Sequence, residues 1–136
     1  MAYNDGRRTL AQFRENWKKH LKVEGFKKSF SKSAFYATWD DHEINNNWDP
    51  DNVNKDAYRN GKQAYFEAVG VEVAQNDRIW HSYKWGDTAE MFILDCRSER
   101  KPKGRFFSTA EYISNEQMNW LKNGLKNSKA HFKVVV

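Results

Sequence analysis

A short run rich in aromatics, Ala34-Phe35-Tyr36-Ala37-Thr38-Trp39, leads directly into Asp40-Asp41-His42-Glu43-Ile44, then three consecutive asparagines and a second tryptophan, Trp48. A short aromatic run that ends abruptly in acids predicts a buried strand whose C-terminal end opens into a polar loop. In open α/β sheets that end of a strand is where ligands gather. Asp40, Asp41, Glu43, Asp49 and Asp51 all fall within twelve residues. Carboxylates so close repel one another unless a cation sits among them or they face apart. A solvated acidic loop and a metal site both satisfy that requirement.

The rest of the chain is charged differently. Residues 1–33 carry a net +6, residues 34–60 a net −4, residues 61–100 a net −2 and residues 101–136 a net +5, so the overall +5 conceals an acidic centre between basic flanks. At 136 residues the chain has the length of one ordinary domain, and its 15% aromatic content is that of a chain built to fold. No unbroken apolar run is longer than that from Met91 to Leu94, far too short to cross a bilayer. Cys96 is the one cysteine, so no internal disulfide forms.

Periodicity sets out the elements. Thr9 with Gln12 three residues on is a capping-box spacing, and Leu10, Phe13, Trp17 and Leu21 recur at helical intervals, predicting a helix from about Thr9 to Lys22. Residues 45–54 are expected as loop. A second helix is expected from about Asn54 to Val69, with Ala57, Ala64, Tyr65 and Ala68 on one face and Gly61 as a weak point. Arg78–Trp85 alternates with period two, Gly86-Asp87 turns, and Ala89–Cys96 returns, the pattern of a β-hairpin. Beyond a basic loop at 101–105, Ser114 and Gln117 again have cap spacing, and Met118, Leu121 and Leu125 form the apolar stripe of a helix over about 115–127. His131–Val136 has a buried-strand pattern with no turn after it, and Met1 opens on Ala2-Tyr3 with no leader, so both ends are expected to be cuts in a longer chain. Alternating helices and strands give the α/β or α+β class.

At the exit of the 34–39 segment, carboxylate and amide oxygens suit a hard cation, and the imidazole of His42 can contact a phosphate oxygen or a leaving group. The pattern W-D-D-H-E-I-x-N-N-W over Trp39–Trp48 resembles the signature of the alkaline phosphatase D (PhoD-like) metallophosphatases, relatives of the calcineurin-like phosphoesterases. Further matches keep the family's order. Trp85-Gly86-Asp87 followed by Leu94-Asp95-Cys96-Arg97-Ser98-Glu99-Arg100 resembles its W-G-D…L-D-T-R-x-x-R segment, with Cys96 in the usual place of Thr. Glu116-Gln117-x-x-Trp120-Leu121 resembles its E-Q-x-x-W-L helix start, and Met1-Ala2-Tyr3-Asn4-Asp5 resembles the residues just after the Gly-Asp of its first metal motif.

The resemblance implies a layered α-β-β-α metallophosphoesterase sandwich, of which this chain would be the central slice, and hydrolysis of phosphate mono- or diesters at a bimetallic centre, Fe³⁺ with Ca²⁺ or another bimetallic pair. It makes Asp41 a metal ligand, Tyr3 a phenolate ligand and Asn46 an oxygen ligand. His42 becomes the histidine that contacts phosphate, and Arg97, with Arg100, a holder of phosphate oxygens. For Tyr3 the alternative is an exposed terminal aromatic, for Asn46 a turn amide, and for Arg97 an ion pair with Asp95 or Glu99. Asp40 and Glu43 would orient His42 and its loop through hydrogen bonds, Trp39 and Trp48 would pack, and His81 would be structural. The family's bridging aspartate would fall just before Met1 and its later Asp and His ligands beyond Val136, so the chain alone is expected to be inactive. The partner implied is a small phosphoester, with nucleic acid entering only as a diester substrate. Two other classes fit the composition. Basic flanks with abundant aromatics are also those of a single-strand nucleic-acid-binding module, and a non-catalytic remnant of the phosphatase fold would keep the motifs without the chemistry.

Overall fold

A computed structural model describes residues 3–70, 77–102 and 111–136, which divide into two compact units, one within residues 1–72 and one within 73–136.

The first unit is helical. α1 (Leu10–Leu21) begins where the capping box predicts: the Thr9 hydroxyl accepts from Gln12 N–H at 3.3 Å and the Gln12 side chain accepts from Thr9 N–H at 3.1 Å. Such a cap answers backbone donors that the first helical turn leaves without partners. α1 buries Phe13, Asn16 and Trp17. A short helix that periodicity does not reveal, α2 (Glu24–Lys32), comes next with no buried residue. Its Phe26 and Phe30 rings stack locally, and Phe30 meets Phe35 at 4.5 Å. α3 (Lys55–Val69) starts on Asn54, whose side chain accepts from Asp56 and Ala57 N–H, and ends on Gly70 in the left-handed conformation, φ 66°. α1 packs on α3. Gly61 is what lets them meet, because a Cβ there would lie 2.4 Å from Ile44 Cδ1 and 3.0 Å from Phe13 Cε1. The residue that weakens the helix on propensity is the one its packing demands. Around this contact Trp39, Ile44, Trp48, Ala64 and Tyr65 complete the core, with Trp39 and Trp48 in edge contact at 5.5 Å. Both tryptophans pack, as expected.

The strand expected at 34–39 is not formed. A strand exists only through ladder hydrogen bonds to a neighbour. The strands among the described residues pair only with one another, and residues 34–39 run as irregular chain between α2 and the acidic loop. Of that run Trp39 is buried, whereas Phe35 is exposed.

The second unit holds a three-stranded sheet in the order β1-β2-β3. β1 (His81–Trp85) and β2 (Ala89–Ile93) form the expected hairpin, antiparallel with His81 opposite Ile93 and Trp85 opposite Ala89, turning through Gly86 at φ 52°. α4 (Asn115–Asn127), capped by Ser114, crosses from β2 to β3 (Phe132–Val135), which lies parallel to β2. The expected apolar stripe of α4 is partly covered, and the neighbouring face packs as well. Met118, Leu121 and Leu125 are half-buried, while Gln117, Trp120 and Gly124 meet the rest of the unit. Gln117 is fully buried, Trp120 touches Trp80 and Phe92, and a Cβ on Gly124 would lie 2.4 Å from Phe92 Cε1. β3, expected to be buried, is exposed along its whole length. Cys96, expected at the end of the returning strand, is exposed as well. It comes after β2 in a tight turn, outside any strand that would cover it. The α/β class holds, and among the described residues no helix is long and apolar enough to cross a membrane. Of the basic loop expected at 101–105, residues 103–105 lie outside the described residues.

Candidate functional site

The acidic loop folds as a compact turn around Asp41. Its backbone carbonyl accepts from Ile44 and Asn45 N–H, both at 2.9 Å. Its carboxylate accepts from His42 N–H through Oδ1 and from Asn47 N–H through Oδ2, also at 2.9 Å. Asn47 reaches this position with φ 52°, a left-handed conformation that asparagine tolerates better than most residues. Asp41 is buried at 7% exposure, yet its carboxylate is solvated by amides of its own loop. Glu43, equally buried, closes the same turn by accepting from Asp40 N–H at 3.0 Å. The carboxylates of the cluster therefore do not simply face solvent: several are caps for backbone N–H groups.

The segment before α1 is stitched onto this loop. Asn4, fully buried, donates its N–H to the His42 carbonyl at 2.9 Å and its amide to the Glu43 carbonyl at 3.0 Å. Its side-chain oxygen accepts from Asn16 of α1 at 2.8 Å. Asn45 Oδ1 accepts from Gly6 N–H at 3.1 Å. Between these ties lies Asp5. Both of its carboxylate oxygens stand 3.1 Å from His42 Nδ1, and Oδ1 also accepts from Asn46 N–H at 2.7 Å. Tyr3 lies against the same imidazole, the ring centroids 4.4 Å apart. His42 Nε2 is 4.0 Å from Asp41 Oδ1.

Four of the expected residues are thus brought together: Tyr3, Asp41, His42 and Asn46. Tyr3 is exposed, with its ring on His42. Asn46 joins through its backbone N–H, while the residue itself is exposed. The imidazole hydrogen bond comes from Asp5, and Glu43 serves the loop backbone. Sequence reasoning misses Asp5 and Asn4 because Asn4-Asp5-Gly6 has the composition of a turn. Their position beside Tyr3 in the motif is the signal that could have found them.

Arg97 belongs to the second unit, in the turn after β2. Its N–H and that of Ser98 both donate to Asp95 Oδ1, at 3.0 and 2.9 Å. Behind this turn lies a buried polar knot. Gln117 bridges the Asp95 N–H and carbonyl and donates to Glu99 Oε2 at 2.7 Å, and Glu99 also accepts from Trp80 Nε1 and Ser114 N–H. Burial pushes the Glu99 carboxyl up, but the hydrogen bonds from Ser114, Trp80 and Gln117 outweigh it and hold the group below the ordinary glutamate value. His81 places Nδ1 on the Ile79 carbonyl and its ring against Tyr83, a structural arrangement.

Among the described residues no three His, Cys, Asp or Glu side chains converge as a metal site. Asp41, Asp5 and Tyr3, the residues around His42, carry carboxylate and phenol oxygens of the kind hard cations take, while Asn46 enters through its backbone N–H. They fit a metal in chemistry while supplying only part of a coordination shell.

A family model described as PhoD-like phosphatase matches residues 2–136. Alkaline phosphatase D of Bacillus subtilis (strain 168) is 24% identical over an alignment covering 93% of this chain and 26% of that protein. A solved structure of PhoD is similar with a TM-score of 0.80 at 22% identity, covering 95% of this chain and 29% of the other. The chain thus spans little more than a quarter of the length of either relative. With the family model matching essentially from end to end and the same fold recurring in the solved structure, the chain belongs to the PhoD-like phosphatase family.

Proposed function

We propose that this chain contributes part of the active site of a metal-dependent hydrolase of phosphate mono- or diesters, as the central slice of a layered α-β-β-α sandwich. The observation that carries the reading is the pairing of Asp41 and His42 on one tight loop, with His42 Nε2 4.0 Å from the Asp41 carboxylate. That loop would bring a residue holding a cation and a residue meeting the phosphate to one place. Asp41, Tyr3 and Asn46 would hold part of a metal centre, Fe³⁺ with Ca²⁺. Bound there, a cation supplies polarisation of a phosphoryl oxygen and an activated water. His42 contacts a phosphate oxygen or exchanges a proton with the leaving group. Arg97 offers a guanidinium whose two parallel N–H donors match a pair of phosphate oxygens.

The test is hydrolysis of a chromogenic phosphodiester by the full-length gene product, with Fe³⁺ and Ca²⁺ supplied. Asp41→Ala and His42→Ala should each lower kcat by about a hundredfold or more, and an undiminished rate in either variant would overturn the reading. The 136-residue chain assayed alone should give no turnover. Turnover that Asp41→Ala abolishes would refute that part.

A further inference from the structure

The geometry points to Asp5 as a positioning residue for His42, one that selects which imidazole nitrogen is presented to a substrate. The inference rests on the phosphoester reading for its purpose, though not for its test. An ionised carboxylate only accepts hydrogen bonds, so contact with Nδ1 at 3.1 Å from both Asp5 oxygens requires the proton on Nδ1. In a neutral imidazole the other nitrogen, Nε2, then carries the lone pair. Nε2 is the nitrogen on the Asp41 side of the ring, 4.0 Å from Oδ1. Asp5 therefore turns the ring and fixes its tautomer in one contact, leaving Nε2 as the atom that exchanges a proton with whatever lies beside Asp41.

Asp5 is itself held in place. Its Oδ1 accepts the Asn46 N–H at 2.7 Å, and the residues on either side are anchored, Asn4 N–H on the His42 carbonyl and Gly6 N–H on Asn45 Oδ1. The Tyr3 ring lies tilted by 45° against the imidazole at a centroid distance of 4.4 Å. The carboxylate thus joins the segment before α1 to both the catalytic side chain and the loop that bears it. A turn residue with no such role would need neither the bifurcated contact nor the loop amide.

The experiment uses the 136-residue chain labelled with ¹⁵N at its four histidines, His42 being assigned by comparison with His42→Gln. At alkaline pH, above the range in which histidines ordinarily titrate, imidazole ¹⁵N shifts distinguish the two tautomers. The wild type should show His42 protonated on Nδ1. Asp5→Ala should move it to the Nε2–H form, and Asp5→Asn, whose side-chain oxygen still accepts, should keep Nδ1–H. An Nε2–H wild type, or a tautomer unchanged by Asp5→Ala in a chain whose other three histidine signals are unmoved, would overturn the proposal. Should Asp5→Ala unfold the chain, the wild-type and Asp5→Asn spectra decide the matter alone. None of this depends on turnover, so a failure of the phosphoester reading is separately visible. In the full-length gene product, Asp5→Ala should lower kcat about 10–100-fold at unchanged KM. A fall confined to KM would count against positioning.

Discussion

Two polar centres depend on single side chains whose importance comes from partners far along the chain. In the first unit Asn4 and Asp5 meet residues 37–41 positions away. In the second, Glu99 accepts from Trp80, Ser114 and Gln117. The Glu99 carboxyl lies below its ordinary value although burial alone would raise it, because those donors favour the charged form. The unfolded chain therefore takes up the proton more readily than the folded one. The stabilisation is fully present above the ordinary glutamate range and is lost as pH falls through the lower folded value. Glu99→Gln should cost about 1–3 kcal/mol at neutral pH, and it should make the acid-side loss of stability shallower. Urea midpoints taken at neutral and acidic pH would check both. That Glu99 matters could not be seen in its neighbours Ser98 and Arg100; the donors that make it matter come from β1's approach and from the start of α4.

At the scale of elements, three helical glycines separate propensity from packing. Gly61 in α3 and Gly124 in α4 sit where a Cβ would press on buried rings or methyls, whereas Gly25 in α2 has open space around it. Alanine raises helix propensity at all three by up to about 1 kcal/mol, while forcing atoms into a filled core costs about 1–3 kcal/mol. Gly25→Ala should thus stabilise, and Gly61→Ala and Gly124→Ala should destabilise, as thermal midpoints would show. Apolar spacing likewise leaves out part of what α4 packs. A scan for apolar spacing finds Met118, Leu121 and Leu125, because Gln117 and Gly124 have no apolar signal to offer. Gln117 is buried for its hydrogen bonds to Asp95 and Glu99, and Gly124 for the room it leaves Phe92.

For the molecule as a whole, the most consequential surface is β3. Phe132, Val134 and Val135 are between 42% and 59% exposed on a strand that pairs with β2 alone among the described residues. An apolar edge of this kind invites pairing with another chain, and natural edges resist it with lysine. The 136-residue chain should associate with rising concentration, and Val135→Lys should return the sedimentation mass toward 16.1 kDa. An unchanged mass distribution would mean that β3 is not the contact. The aromatic surplus bears on function at this scale too. Trp17, Trp39, Trp48 and Trp80 are buried in their units, so these rings serve cores and are withdrawn from the stacking that a single-strand binder needs.

Residues near one another in the sequence were enough for the capped starts of α1 and α4, the extent of α3, the hairpin and its turn, and the Trp-Asp-Asp-His-Glu motif that pointed to the family. Those are local interactions, complete within a turn or two of chain. Tertiary structure alone decided that residues 34–39 form no strand, that β3 lies open, that α4 turns Gln117 inward, and that Asp5 rather than Glu43 holds His42. Each of these depends on a partner brought up from a distance. A ladder needs its neighbouring strand and an imidazole proton needs an acceptor, and neither can be read from the residues on either side.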